Sequence, residues 1–122
     1  MALLYEELTH KIRGALFEVY NTLGPGFKED VYHNALIIEF MLRKIPFQSK
    51  SVQKVYYKGK VVGEYEPDFI LYDKIVLEIK AVVEMSEVFE AQLLSYLKVT
   101  GYKLGLLVNF GGKEIDVKRR VM

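Results

Sequence analysis

The stretch Glu66-Pro67-Asp68-Phe69-Ile70-Leu71-Tyr72-Asp73-Lys74-Ile75-Val76-Leu77-Glu78-Ile79-Lys80 decides how this chain is read. Asp68 and Glu78 lie at equal distances from Asp73, so a tight turn there folds the segment into an antiparallel hairpin with the two carboxylates opposed. Directly opposed residues of such a pair have Cβ atoms about 5 Å apart. Side chains alternate along a strand, which places Val76, Glu78 and Lys80 on one face and Ile75, Leu77 and Ile79 on the other. Phe69 and Leu71 are expected to join the apolar set. Two acids and a lysine then project from a hydrophobic hairpin near the centre of a sheet.

Opposed like charges destabilise a strand pair. The arrangement makes chemical sense if a cation lies between them, and two carboxylates with water suit Mg²⁺ or Mn²⁺. Such an ion polarises a phosphoryl oxygen and turns its own water into a nucleophile. A neighbouring ammonium, Lys80, would hold that water or offset the developing negative charge. Acid–lysine pairs on strands also form ordinary solvated ion pairs. The hairpin alone leaves both readings open.

Outward from this segment, Leu4, Leu8, Ile12, Ala15, Val19 and Leu23 recur at helical spacing and are closed off by Gly24-Pro25-Gly26. A second helix is expected from about Glu29 to Arg43, with Val31, Ala35, Ile38 and Leu42 as its apolar stripe. Strands follow over Val52 to Tyr57, Val61 to Tyr72 and Ile75 to Val82, the first two joined by a turn at Lys58-Gly59-Lys60. Ser86 caps a helix that runs to Thr100 and stops at Gly101. Strands over Lys103 to Phe110 and Ile115 to Val121 complete an α-α-β-β-β-α-β-β order. A single α/β domain, residues 1–122, is expected.

The helix after the hairpin carries Gln92 and Tyr96 one turn apart, beside Phe89 and Leu93 of its apolar stripe. A glutamine in that position needs polar partners, which backbone groups would also supply. Glu29 and Tyr32 stand three apart at the start of the second helix and share a face, although a glutamate in a first helical turn also complements the helix dipole. His33 is expected to face solvent.

Composition narrows the chemistry further. The 122 residues contain no cysteine, which excludes disulfides and thiolate sites, and only two histidines. The net charge of +1 leaves nucleic acid to be bound by local clusters. Lys50, Lys54, Lys58 and Lys60 form one cluster, and Lys118, Arg119 and Arg120 another, although lysines on edge strands also prevent edge-to-edge pairing. The nine tyrosines fit base stacking, but Tyr56, Tyr57, Tyr65 and Tyr72 fit half-buried strand positions equally. No apolar run approaches the roughly 20 residues that span a bilayer, and Glu6 and Glu7 stand where a secretory leader would be basic. A cytoplasmic location is expected.

Taken in order, Gly26-x-x-Glu29-x-x-Tyr32 resembles the signature of the GxxExxY family, a group within the PD-(D/E)XK nuclease superfamily. The resemblance extends over Leu23-Gly24-Pro25-Gly26, Leu77-Glu78-Ile79-Lys80-Ala81-Val82, Glu90-Ala91-Gln92-Leu93-Leu94-Ser95-Tyr96-Leu97-Lys98 and Gly105-Leu106-Leu107-Val108-Asn109-Phe110-Gly111. It implies a restriction-endonuclease-like αβββαβ core with a mixed central sheet flanked by helices. It implies that Asp68 and Glu78 bind a Mg²⁺ or Mn²⁺ ion with help from the Ile79 carbonyl, and that Lys80 is the catalytic lysine. Glu29 matches a helical glutamate that joins the metal site or orients the lysine. Gln92 and Tyr96 match a Gln-x-x-x-Tyr element that places substrate, and Tyr32 is grouped with them as a supporting residue. The expected function is metal-dependent hydrolysis of phosphodiester bonds, in DNA rather than RNA, by a homodimer or with an activating partner. The alternative is a non-catalytic nucleic-acid-binding or assembly module on the same fold.

Overall fold

The first 23 residues end in a helix because their apolar positions recur every three or four residues. In the computed structural model, which describes residues 3–122, α1 spans Glu6–Leu23 and buries Ile12, Ala15, Leu16 and Val19. Helix α2, Glu29–Leu42, packs beside it. Its buried face differs from the expected one. Tyr32, His33, Leu36 and Phe40 are buried, while Val31, Ile38 and Leu42 are 36%, 61% and 72% exposed. The segment is apolar on two sides, so spacing alone could not choose between them. The aromatic rings of Tyr32 and Phe40 settle it by filling more of the core.

The strands are β1 Phe47–Ser49, β2 Gln53–Tyr57, β3 Lys60–Tyr65, β4 Phe69–Leu71, β5 Ile75–Lys80, β6 Leu104–Asn109 and β7 Asp116–Val121. Helix α3, Glu87–Thr100, lies between β5 and β6 in the chain. Two departures from expectation follow from local chemistry. The run from Val61 to Tyr72 is not one strand: Pro67 has no N–H for a ladder, and the chain breaks there into β3 and β4, which belong to different sheets. The short β1, absent from the sequence reading, pairs antiparallel with β4. Three residues carry too little alternation to be read as a strand.

The main sheet runs β1-β4-β5-β6-β7, with β5 at its centre, and β2-β3 forms a separate hairpin. β4 and β5 are antiparallel and turn through Tyr72 and Asp73, both left-handed. β5 and β6 are parallel, joined by α3, and β7 returns antiparallel to β6. The faces of β5 divide as alternation requires. Ile75, Leu77 and Ile79 enter the core with Phe69, Leu71, α1 and α2, whereas Val76 packs with Leu93, Tyr96, Leu97 and Leu107 beneath α3. The sheet is therefore covered by helices on both faces.

Helix α3 begins where the Ser86 hydroxyl accepts from the Val88 N–H at 3.2 Å and ends at left-handed Gly101. Past β6, Gly111 lies so close to β5's exit that an added Cβ would stand 2.4 Å from the Val82 backbone. Only glycine fits that approach. No helix among the described residues is long and apolar enough to cross a membrane.

Candidate active site

Pro67 ends the sheet ladder one residue before Asp68, which frees that residue's backbone and side chain for other bonds. The register that pairs Phe69 with Leu77 brings Asp68 against Glu78. The two residues are cross-laced: the Asp68 N–H donates to Glu78 Oε1 at 2.9 Å, and the Ile79 N–H donates to Asp68 Oδ2 at 2.7 Å. Asp68 Oδ1 and Glu78 Oε2 lie outside these bonds. Lys50 N–H donates to the Asp68 carbonyl at 3.1 Å, so β1's exit also holds this corner.

Glu78 is 3% exposed. Burial first, and the Asp68 charge second, push its carboxyl up to about 9, with Lys80 opposing the rise. Two acids this close cannot both ionise cheaply in a low dielectric. Burial and the neighbouring charge therefore favour the protonated form of Glu78.

Lys80 leaves the end of β5 on the same face as Glu78. Its Nζ donates to Gln92 Oε1 at 3.1 Å and lies 4.6 Å from the Phe89 ring centroid. Gln92 Nε2 in turn stands 3.5 Å from the Tyr96 hydroxyl, and the Tyr96 ring meets Tyr65 edge-on at 5.4 Å. Burial, then the charges of Glu78 and Asp68, raise the Tyr96 hydroxyl to about 12, which keeps it a neutral hydroxyl able to accept from Gln92. The glutamine of the apolar stripe therefore has side-chain partners, not backbone ones.

Glu29 opens α2 at an exposed position. Partial burial of its carboxyl, followed by the Asp68 charge, raises its pKa, and Lys80 lowers it, so it shares the field of the acid–lysine cluster. Tyr32 does not join the cluster. It is fully buried, donates to the Gly24 carbonyl at 2.6 Å, accepts from the Phe27 N–H at 3.2 Å and stacks on Phe110 at 4.6 Å. Its contacts anchor the loop into α2, and no surface of it is open to a substrate.

Two residues beside the site have roles the sequence did not assign them, and one of them was expected at the surface. His33 is buried, not solvent-facing: its Nε2 lies 2.7 Å from Ser49 Oγ, and its ring stacks on Phe69 at 4.2 Å. Burial lowers its pKa, with Asp68 acting in the opposite sense. Asn109 is buried, accepts from the Val82 N–H at 2.9 Å and the Gly111 N–H at 3.0 Å, and donates to the Val82 carbonyl at 2.9 Å. It braces the chain just after Lys80. Its signal in the sequence was an asparagine ending an apolar strand before Gly111-Gly112.

Among the described residues, no group of three or more histidine or carboxylate side chains is gathered for a metal. The donor chemistry of the Asp68–Glu78 pair nonetheless fits a hard divalent ion. Mg²⁺ is commonly held by one or two carboxylates, with water and substrate phosphate completing its shell. A cation beside the pair would offset the burial and like-charge penalty that raises the Glu78 carboxyl. The carboxy-terminal basic residues are engaged elsewhere: Lys118 and Arg120 bind Glu90 at 3.7 and 2.9 Å, and Arg119 donates to the Leu4 carbonyl.

A family model described as the PD-(D/E)XK nuclease superfamily matches residues 6–121. No curated protein matches the chain. Among solved structures, SSO0001 superposes with a TM-score of 0.62 and 22% identity, over 76% of this chain and 50% of its own. An alkaline exonuclease, LHK-Exo from Laribacter hongkongensis, superposes with a TM-score of 0.56 and 10% identity, over 99% of this chain and 72% of its own. The chain thus spans half the length of SSO0001. At these identities the likeness is one of fold: a mixed five-stranded sheet flanked by helices, the restriction-endonuclease-like architecture.

Proposed function

Starting from the chain's membership of the PD-(D/E)XK nuclease superfamily, we propose that it is a Mg²⁺- or Mn²⁺-dependent deoxyribonuclease of the GxxExxY type, with its centre at Asp68, Glu78 and Lys80. The observation that carries this reading is the buried, cross-laced acid pair with Lys80 on the same face of β5. Asp68 and Glu78 hold the ion, with the Ile79 carbonyl as a third oxygen donor. When bound, such an ion polarises a phosphoryl oxygen and acidifies its water.

The chain's own groups do the rest. Lys80 orients the attacking water and offsets charge on the phosphate. Gln92 fixes the ammonium through Oε1, and the Phe89 ring supports it from another direction. Holding a flexible four-carbon side chain in one place saves ordering it during reaction. Tyr96 fixes the orientation of Gln92. Glu29, at the rim, orients Lys80 through its charge.

The test is cleavage of linear duplex, supercoiled and single-stranded DNA, and of RNA, in Mg²⁺, Mn²⁺ or EDTA. Lys80→Ala and Asp68→Ala run alongside, with circular dichroism to establish folding. Metal-dependent cleavage of DNA that both variants lose is the expected result. Metal-independent DNA binding by wild type and Asp68→Ala alike, with cleavage by neither, would replace the enzyme with a binding module.

A further inference from the structure

Helix α3 holds Lys80 at one end of a face whose other end is open. Gln92, Tyr96 and Val99 lie four and then three residues apart, hence on one side of the helix. Strand β2 lies against α3. Between them is a groove of about 480 Å³ lined by Lys54, Tyr56, Tyr65, Ser95, Lys98 and Val99. Tyr65 connects this groove to the centre, since its ring contacts Tyr96, whose hydroxyl meets Gln92, the partner of Lys80.

The groove's chemistry is specific in kind. Tyr56 is 62% exposed, so its ring contributes little to the core, which removes the half-buried strand position that the sequence left open beside base stacking. Lys54 and Lys98 form no ion pair among the described residues, although Glu64 lies opposite Lys54 in the hairpin register. The basic residues of β7, by contrast, are already paired with Glu90 or a backbone carbonyl. An exposed aromatic ring and two ammonium groups outside any ion pair, lining one groove, match a base with its flanking phosphates. In a duplex the bases are stacked inside and cannot cover Tyr56.

We infer that the groove between β2 and α3 binds single-stranded nucleic acid continuous with the scissile phosphate at Lys80, with a base on Tyr56 and phosphates on Lys54 and Lys98. The direction of the path rests on the nuclease reading; binding in the groove does not.

Anisotropy of a short fluorescent oligothymidylate, measured in EDTA so that no cleavage occurs, tests it. Tyr56→Ala should weaken binding about tenfold, within the range for one lost base stack, while Tyr56→Phe retains it. The double variant Lys54→Ala/Lys98→Ala should flatten the log affinity against log salt slope by about 1.4, two phosphates' worth. Lys11→Ala, on the exposed surface of α1, serves as the control and should change neither. All these side chains are exposed or at a groove wall, and thermal melts will show the variants folded. Wild-type binding with unchanged affinity and slope in the Tyr56 and lysine variants would overturn the groove, while metal-dependent cleavage in the same preparation would leave the nuclease reading standing. Losses confined to a duplex probe would overturn the single-strand assignment. Tyr56-dependent binding without cleavage in any metal would support the groove and remove the nuclease reading.

Discussion

Glu78→Gln should stabilise the metal-free protein by an amount that grows with pH, while abolishing the proposed cleavage. The Glu78 carboxyl is pushed from 4.5 up to about 9 by burial and by Asp68. In the unfolded chain it ionises near its ordinary value; in the folded protein it keeps its proton. Between those two values the folded state binds more protons than the unfolded state, so stability falls as pH rises. One group at full effect gives a slope of about 1.4 kcal/mol per pH unit, or about 3 kcal/mol between pH 5.5 and 7.5. Relaxation and sharing of the proton with Asp68 reduce this, and about 1–3 kcal/mol is expected.

Glutamine removes the penalty because it is a permanent mimic of the protonated acid. Its amide oxygen can accept from the Asp68 N–H as Glu78 Oε1 does, and its NH₂ faces the Asp68 carboxylate. Urea unfolding in EDTA at pH 5.5, 6.5 and 7.5 measures the effect. The difference between variant and wild type should widen with pH, reaching about 1 M in midpoint for an ordinary urea dependence. On the proposed metal site, added Mg²⁺ should stabilise the folded wild type and leave Glu78→Gln unmoved. Parallel stability–pH curves for the two proteins in EDTA would refute the buried-acid reasoning.

Gln92→Leu removes the acceptor that holds Lys80 Nζ; the maximal cleavage rate should fall about 10- to 100-fold with KM little changed, as read by single-turnover kinetics, and Gln92→Glu should recover part of it by restoring an acceptor oxygen. Asn109→Ala strips partners from Val82 and Gly111 backbone groups, and urea unfolding should show a loss of about 2–3 kcal/mol, with faster hydrogen exchange at the Val82 amide.

Much of this molecule was legible in one dimension because the governing interactions are local or strictly periodic. The placement of Glu78 and Lys80 on the face opposite Ile75, Leu77 and Ile79 follows from strand alternation alone. The opposition of Asp68 and Glu78 follows from counting either side of Asp73. Ser86 and Gly101 bounded α3 because a cap and a left-handed stop are local chemistry. What the sequence could not decide were choices between equivalent local options. Helix α2 offers two apolar faces, and only the space left by α1 and the sheet selects Tyr32, Leu36 and Phe40 over Val31, Ile38 and Leu42. The chain from Val61 to Tyr72 breaks at Pro67, but that its halves enter different sheets is decided by β1, which pairs with β4. His33 is buried only because Phe69 and Ser49, distant in sequence, meet it there. The chain from Lys80 through Gln92 and Tyr96 to an exposed Tyr56 likewise exists only once α3 has been laid across the sheet and β2 set beside it, since no periodicity along the chain encodes which side chains meet between elements.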